Sequence, residues 1–287
     1  MTVQLLAILG EGLLDPAKSV VFADDAGLTR GDGCFEGCRV VTSAAGTTTV
    51  DNLDRHLARL ARSAAAMELD FDAAQWRALI AAACAAWRRP GEAAMKLVLT
   101  RGRPGANRAT GLLSIAPPPA DYPRQRHEGM RVVTLCGGTS IDAYAEMPWL
   151  LGGVKTLSYA VNMAALREAA RRDADDVIFL STDGWVLESP VSSVVWARGR
   201  TLFTTPPGPS GILEGTTQRL LFDRASEHGW QTDIAAARLD DLHAADVVWL
   251  IGSVRGPVDV VVLDGRHRDR VPTTDAEIRR LAGFPPA

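Results

Sequence analysis

The sequence predicts a mixed α+β fold arranged in two domains. Strand-like runs outnumber the helical patterns between them, and many of these runs are joined directly by turns, which argues against a doubly wound parallel sheet. A proline-rich segment near residues 117–125 has the composition of a linker. We therefore expect a smaller N-terminal α+β domain over residues 1–120 and a larger C-terminal domain over residues 121–287.

Two helical patterns interrupt the strands of the N-terminal part. Apolar residues recur at intervals of three and four over residues 52–67, which predicts an amphipathic helix with Asp51 or Asn52 as its cap. An alanine-rich helix is expected over residues 72–87. The predicted strands cover residues 5–14, 19–22, 35–42, 46–50, 95–100 and 112–116.

The C-terminal part of the sequence also alternates between predicted helices and strands. One helix is expected to begin at Lys155 and run to about Arg172, and a second to cover residues 216–228. The predicted strands cover residues 130–135, 177–180, 184–187, 201–205, 230–235 and 247–251. No internal repeat or low-complexity tract is present.

Composition excludes several classes of function. The net charge of −3 offers no basic patch for nucleic acid. No apolar run approaches the roughly 20 residues that a membrane span requires, and residues 1–6 do not resemble a secretory signal. Because the four cysteines form no CxxC pair, we expect reduced thiols in a cytoplasmic protein and no metal site.

Lys155 is the first candidate for chemistry. It follows Gly152, Gly153 and an apolar run, and the glycines permit close approach of a flat ligand. An amine in such surroundings is a candidate nucleophile and base, although a lone lysine is most often a surface residue. Lys155 therefore indicates a functional site only if other residues of such a site accompany it.

Three further features could complete a cofactor site. Glu188 ends a predicted strand, where its carboxylate could face a pyridinium nitrogen. Thr216 and Thr217 follow Gly215 at a predicted helix start, where N–H groups and hydroxyls can bind a phosphate. Arg59 could supply a cation to that phosphate. Each has an ordinary alternative as a strand end, a helix cap or a surface arginine.

These residues occur in the order typical of a known family. The stretch 25–36, the run His56-Leu57-Ala58-Arg59-Leu60, Lys155, Glu188 and the run 215–217 resemble class IV aminotransferases, which are pyridoxal phosphate enzymes of fold type IV. The resemblance covers about residues 20 to 262. Within this family, the runs 30–36, 147–150, 155–163 and 181–188 are most similar to actinobacterial 4-amino-4-deoxychorismate lyases.

The resemblance implies a cofactor, a reaction and an assembly. Pyridoxal 5'-phosphate would bind covalently to Lys155, which would later remove the C4 proton of 4-amino-4-deoxychorismate, while Glu188 keeps the ring nitrogen protonated. Loss of pyruvate would then leave 4-aminobenzoate, a folate precursor. The same family implies a homodimer, with the cofactor in a cleft between the two domains.

The implied contacts name specific residues. The expected cofactor-binding residues are Arg59, Lys155, Glu188, Ser192, Ser193, Thr216, Thr217 and Ser253. The substrate carries two carboxylates, and guanidinium groups bind carboxylates in two-point contacts. Arg101, Arg108 and Arg255 are therefore the candidate substrate-binding residues.

Departures from the family pattern keep a second activity open. Ser193 stands where many members have asparagine, Tyr159 follows the lysine by four positions rather than five, and the loop 105–109 lacks the Arg-Asn-His carboxylate trap of D-alanine transaminases. The last two favour the lyase over a transaminase. The alternatives are a transaminase acting on D-amino acids, branched-chain substrates or amines, possible dual activity, and a non-catalytic binding protein.

Overall fold

The computed structural model describes residues 3–106 and 108–285. Asn107 and the first two residues of the stretch compared with a secretory signal lie outside them. The described residues form two compact units. The first unit contains the chain up to Ala120 together with the short segment Val154–Ser158, and the second contains Asp121–Gly153 and the chain from Tyr159 onward. The sequence assigned Lys155 to the C-terminal domain, whereas the structure groups it with the first unit.

A six-stranded antiparallel sheet forms the first unit. Its strands are β1 (Leu5–Ile8), β2 (Gly12–Leu14), β3 (Gly33–Thr42), β4 (Thr48–Val50), β5 (Gly91–Thr100) and β6 (Thr110–Ala116). Their order across the sheet is β2-β1-β6-β5-β3-β4. β3 and β5 pair along their whole length, from Gly33 opposite Thr100 to Thr42 opposite Gly91. The strand predicted at residues 19–22 is absent, because that stretch has no ladder partner.

Helices α1 (Ala26–Arg30), α2 (Leu53–Ala66) and α3 (Ala73–Ala86) accompany this sheet. α2 buries one face that includes Leu57 and Leu60, as its apolar period predicts. Asn52 occupies the N-cap position of α2 with a left-handed φ of 54°, but its side chain makes no capping hydrogen bond. Asp51 instead forms an ion pair with Arg39 at 2.7 Å, so neither predicted residue caps the helix through its side chain.

A mixed sheet of eight strands forms the second unit. Its strands are β7 (Met130–Cys136), β8 (Asp176–Leu180), β9 (Ser193–Arg198), β10 (Thr201–Thr204), β11 (Gln231–Ile234), β12 (Val247–Gly252), β13 (Gly256–Leu263) and β14 (Arg266–His267). The order is β11-β10-β9-β12-β13-β7-β8, with β14 paired to β13. Three pairs are parallel, namely β10–β11, β13–β7 and β7–β8.

The helices of the second unit are α4 (Tyr122–Glu128), α5 (Ala160–Arg171), α6 (Thr216–Ala225), α7 (Leu239–His243) and α8 (Pro272–Leu281). α5 begins five residues later than predicted, so Lys155 precedes the helix rather than starting it. Residues 184–187 form only isolated bridges in place of the predicted strand.

Both faces of the central strands of the second sheet are buried. Along β12, Val248 and Leu250 belong to one apolar cluster, whereas Val247, Trp249 and Ile251 belong to another. A strand buried on both faces reads as a continuous apolar run, which is why this strand was visible in the sequence. The two units together have the predicted α+β architecture.

Candidate functional site

Lys155 lies on an extended segment that pairs with the start of β3. The N–H of Phe35 donates to the carbonyl oxygen of Lys155 at 3.0 Å, and the N–H of Leu157 donates to the carbonyl oxygen of Gly33 at 2.8 Å. β4 pairs only with residues 40–42 of β3, so the segment covers a part of the strand edge that β4 does not reach. This pairing is the reason why Lys155 belongs to the first unit.

Two neighbouring residues contact Lys155 and fix its position. Its backbone N–H donates to Ser63 Oγ on α2 at 3.3 Å. Its Nζ lies 4.5 Å from the ring centroid of Phe35, a distance at which an ammonium is attracted to an aromatic face. The half-buried amine is therefore attached to a sheet on one side and to a helix on the other.

Two glycines of the motif at residues 30–36 permit this close packing. Gly31 ends α1 with a left-handed φ of 70°, and a Cβ there would lie 2.6 Å from Ser158 Oγ. A Cβ on Gly33 would lie 2.6 Å from the carbonyl oxygen of Leu99 and 2.7 Å from Leu157 Cδ1. Both positions therefore disfavour a side chain, because the lysine segment and, at Gly33, also β5 pack closely against them.

Arg59 is part of a buried ionic cluster on α2. Its Nε and Nη2 donate to Glu36 Oε1 and Oε2 at 2.7 and 2.8 Å. Glu36 Oε2 also lies 2.7 Å from His56 Nδ1. Two-point contact between guanidinium and carboxylate fixes the plane and direction of the arginine side chain. Arg59, the candidate cation for a phosphate, is thus held in place by the Glu36 carboxylate.

The charge of Glu36 is strongly favoured by this cluster. Burial would by itself raise the pKa of the Glu36 carboxyl, but Arg59 and His56 outweigh it and lower the pKa to about 2. Glu36 itself is 0% exposed. The carboxylate therefore stays ionised near neutral pH.

Glu188 lies at the end of a short bridged segment in the second unit. Its carbonyl oxygen accepts a hydrogen bond from the N–H of Phe179 at 2.9 Å. Its carboxylate Oε2 accepts from the N–H of Leu213 at 3.2 Å. The side chain is half-buried and held by backbone at both ends, so it is a fixed acceptor rather than a freely moving surface carboxylate.

Three hydroxyls converge at the N-terminus of α6. Ser253 Oγ lies 3.1 Å from Thr216 Oγ1 and 3.4 Å from Thr217 Oγ1. The N-cap residue of this helix is Gly215, which has no side chain that could cap it. A Cβ on Gly215 would lie 2.3 Å from Ser193 Oγ, so this glycine admits the serine beside the helix end. Hydroxyls beside a helix N-terminus form a donor set suited to a phosphate.

Arg255 has a different environment from the one the sequence suggested. It is 4% exposed, and its Nη2 donates to Asp176 Oδ2 at 2.6 Å and to Ser192 Oγ at 2.8 Å. Nη1 donates to Gln125 Oε1 at 3.4 Å. Arg255, which the sequence suggested as a cation for a substrate carboxylate, is therefore paired with Asp176 in the interior of the second unit.

The other two candidate substrate arginines line one cavity in the first unit. This cavity of about 550 Å³ includes Arg101 and Arg108 in its wall. Arg101 is paired with Asp32, with Nε 2.5 Å from Oδ2. Arg108 Nη2 donates to the carbonyl oxygen of Leu9 at 2.9 Å. Both side chains are exposed and remain candidates for binding an anion.

Sequence reasoning missed several residues that hold the candidates in place. His56 and Ser63 lie three residues before and four residues after Arg59 on α2, so helical spacing alone could have placed them on one face. Glu36 lies within a motif that the sequence singled out, but nothing in one sequence shows that it turns toward α2. Asp176 gave no signal at all, because its partner Arg255 is 79 positions away.

No helix among residues 3–106 and 108–285 combines the length and apolar character needed to span a membrane.

Comparison with known proteins gives a consistent family of matches. The sequence model described as amino-transferase class IV matches residues 33–263. A bifunctional aminodeoxychorismate lyase / D-amino acid transaminase from Mycobacterium tuberculosis is 39% identical over 280 residues, which cover 94% of this chain and 95% of that protein.

Solved structures match over nearly the whole chain. A hypothetical aminotransferase from Mycobacterium tuberculosis in its PLP-bound form has a TM-score of 0.92 at 39% identity and covers 97% of each chain. Its form bound to alpha-ketoglutarate and PMP has a TM-score of 0.91. A fold IV-transaminase from Curtobacterium pusillum has a TM-score of 0.89 at 39% identity, with 97% of this chain and 98% of that chain covered.

Proposed function

Because this chain belongs to the class IV aminotransferase family, we propose that it is a pyridoxal phosphate-dependent lyase that converts 4-amino-4-deoxychorismate into 4-aminobenzoate and pyruvate. The expected fold type IV architecture is confirmed by the solved structures at 39% identity. The reaction is supported by the relative that carries a lyase activity in its name and covers 94% of the chain. The product would serve folate synthesis.

The donor groups of each unit fit pyridoxal phosphate. In the second unit, Thr216, Thr217 and Ser253 offer hydroxyls at a helix N-terminus whose N-cap residue is a glycine, which suits a phosphate. Glu188 offers a fixed carboxylate, which suits a protonated ring nitrogen. In the first unit, Lys155 offers an amine held by backbone pairing. Arg59 would add charge to the phosphate, and Ser192 and Ser193 complete the proposed cofactor contacts.

When bound, the cofactor supplies a ring that stabilises negative charge on the substrate carbon next to the amine. Lys155 would hold the cofactor and then take the proton from the C4 atom of the substrate. Glu188 would hold a proton at the ring nitrogen. Arg101 and Arg108 would orient the substrate through its carboxylates.

The pairing of the Lys155 segment with β3 is the observation that supports the proposal most directly. A surface lysine needs no such support. Here two backbone hydrogen bonds, a contact with Ser63 and two glycines that admit no side chain all hold one residue in place. Precise placement of an amine is what covalent cofactor binding and proton transfer both require.

A second activity is favoured by the comparisons. The relative from Mycobacterium tuberculosis is named both lyase and D-amino acid transaminase, and the related structure is described with alpha-ketoglutarate and PMP. The two reactions share proton removal and differ only afterwards. We therefore propose D-amino acid transamination as the alternative or additional activity, with branched-chain substrates or amines as further candidates.

The decisive experiment supplies the protein, loaded with pyridoxal phosphate, with enzymatically generated 4-amino-4-deoxychorismate. We expect 4-aminobenzoate and pyruvate in equal amounts from the wild type and none from Lys155→Ala. Lys96→Ala is the matched control, because Lys96 Nζ lies 5.7 Å from the same Phe35 ring, whereas Lys96 is an exposed residue of β5 and outside the proposed cofactor contacts. Absence of 4-aminobenzoate from a protein that retains cofactor absorbance would reject the lyase, and conversion of D-amino acids to keto acids would then be measured.

Assembly, location and domain division belong to the same proposal. We propose a homodimer in the cytoplasm, built from domains that meet near residue 120. The exposed Trp149 and Leu150, at 72% and 43%, support a self-association surface. The net charge of −3 supports small-molecule substrates rather than nucleic acid. Light scattering of the purified protein measures the assembly directly.

A further inference from the structure

A buried network in the second unit connects two loops that the proposed function uses at different places. Asp176 Oδ1 accepts hydrogen bonds from Ser189 Oγ at 2.9 Å and from the N–H of Val177 at 2.8 Å. Asp176 Oδ2 accepts from Arg255 Nη2 at 2.6 Å, and the same Nη2 donates to Ser192 Oγ at 2.8 Å. Asp176 is 0% exposed and Arg255 is 4% exposed.

The first loop follows Glu188 directly. Ser189 and Ser192 close it through two backbone hydrogen bonds, at 2.9 Å and 3.4 Å. Because Ser189 is the next residue after Glu188, the position of this turn helps to determine where the Glu188 backbone lies. The hydrogen bonds from Ser189 to Asp176 and from Arg255 to Ser192 hold the two ends of the turn.

The second loop connects β12 with β13 and carries Ser253. Arg255 lies two residues after Ser253 in this loop, and its carbonyl oxygen accepts a hydrogen bond from Arg126 Nε at 2.8 Å. Arg126 Nη2 donates to the carbonyl oxygen of Val254 at the same distance. The two loops also approach closely, since a Cβ on Gly252 would lie 3.2 Å from Ser192 Oγ. The guanidinium of Arg255 therefore joins a fixed loop to the turn after Glu188.

The Asp176–Arg255 pair is better explained by a role in positioning the two loops than by a contribution to the stability of the fold. A buried ion pair contributes little net stability, because desolvation of both charges offsets their attraction. Arg255 Nε is moreover buried without a hydrogen-bond partner among the described residues. A buried donor without a partner costs stability. The position of this arginine is therefore better explained by its contacts with the two loops than by satisfaction of all its donors.

We infer that Asp176 and Arg255 are positioning residues that fix the Glu188 turn relative to the Ser253 loop. The inference rests on the proposed function, in which Glu188 serves the ring nitrogen and Ser253 the phosphate of one cofactor. Arg255 acts through these two residues and not by contact with substrate.

The test compares Arg255→Lys with Arg270→Lys in the full-length protein. Arg270 forms the matched pair, because it binds Asp259 in the same unit at 2.5 Å and contacts neither loop. Three quantities are measured for each variant: the melting temperature of the apoprotein, the rate of pyridoxal phosphate release, and the visible circular dichroism band of the bound cofactor. The first reports stability, the second the phosphate contacts, and the third the orientation of the ring.

We expect Arg255→Lys to release cofactor about tenfold faster and to change the dichroism band, while Arg270→Lys changes only the melting temperature. The inference is overturned if both variants lose similar stability and neither alters cofactor release or dichroism. If Arg255→Lys does not fold, Ser189→Ala decides, because it removes only the hydroxyl that ties the Glu188 turn to Asp176. An unchanged dichroism band in Ser189→Ala then rejects the inference.

Failure of the proposed function would look different from failure of the inference. A wild type that binds no pyridoxal phosphate would overturn both. A wild type that binds the cofactor, with Arg255→Lys indistinguishable from Arg270→Lys in release rate and dichroism, would overturn the positioning role alone.

Discussion

Glu36 and Arg59 form a two-point ion pair in the interior of the first unit, with His56 on the same carboxylate oxygen. The pair links the guanidinium of Arg59 on α2 to the carboxylate of Glu36 on β3, at the residue where the sequence placed a phosphate-binding cation. Its energetics and its geometry can be tested separately, the first through pH and the second through cofactor affinity.

Stability should depend on pH through Glu36. Its folded pKa of about 2 lies below the ordinary value of 4.5. A carboxyl with a lowered pKa contributes stability that is present above pH 4.5 and is lost as the pH falls toward 2. At about 1.4 kcal/mol per pKa unit, this contribution is about 3 kcal/mol. Urea unfolding between pH 2 and pH 6 should show a flatter pH dependence for Glu36→Gln than for the wild type. The exposed Glu128→Gln should retain the wild-type slope.

Gly33→Ala should disturb the Lys155 segment. The new methyl group would lie 2.6 Å from the carbonyl oxygen of Leu99 and 2.7 Å from Leu157 Cδ1. Overpacking of this kind costs about 1–3 kcal/mol. We expect a lower free energy of unfolding and weaker covalent attachment of cofactor, measured by absorbance after dialysis. Gly37→Ala, on the same strand with nothing within 4 Å of the new methyl, is the control. Equal behaviour of the two variants would contradict the packing argument.

Removal of the hydroxyls at the α6 N-terminus should weaken cofactor binding without unfolding the protein. Each hydrogen bond to a phosphate contributes at least about 1 kcal/mol, or roughly fivefold in affinity. Thr216→Val and Thr217→Val should each raise the dissociation constant of pyridoxal phosphate by that factor. Thr232→Val, on β11, should leave it unchanged. A titration followed by tryptophan fluorescence gives all three values, and unaltered affinity in the first two variants would refute the phosphate assignment.

Arg101→Met should affect substrate binding more than turnover. Arg101 lines the cavity in the first unit, and a carboxylate that loses a guanidinium partner binds more weakly. We expect KM to rise about tenfold, which corresponds to a loss of roughly 1.4 kcal/mol of binding free energy. The value of kcat should stay nearly unchanged. Arg77→Met, which removes an exposed arginine paired with Asp54, serves as the control. A fall in kcat with no change in KM would assign Arg101 a role other than binding.

Local patterns predicted the regular elements well where one face or both faces are apolar. α2 was visible through its period, and β12 through its unbroken apolar run. The start of α5 was placed too early, because residues 155–157 pair with β3 and the helix begins only after them. Only the distant partner strand decides between these two conformations, and a single sequence does not show that partner.

The sequence suggests candidate site residues but not the residues that orient them. Lys155, Glu188, Thr216 and Thr217 are candidates because of their order along the chain. The partners that orient them, such as Asp176 and Ser63, come from elements far away in sequence and carry no local signature. Arg255 illustrates this limit, because a single sequence does not show that this arginine is buried beside Asp176.

The pairing of the Lys155 segment with β3 also constrains the order of folding. The Lys155 N–H and its acceptor Ser63 Oγ are 92 positions apart, so this contact closes a long loop and forms slowly. During synthesis, β3 and its neighbours leave the ribosome well before Lys155 does. Residues 33–35 therefore expose an unpaired strand edge in the nascent chain, which is a site for aggregation until the lysine segment arrives to cover it.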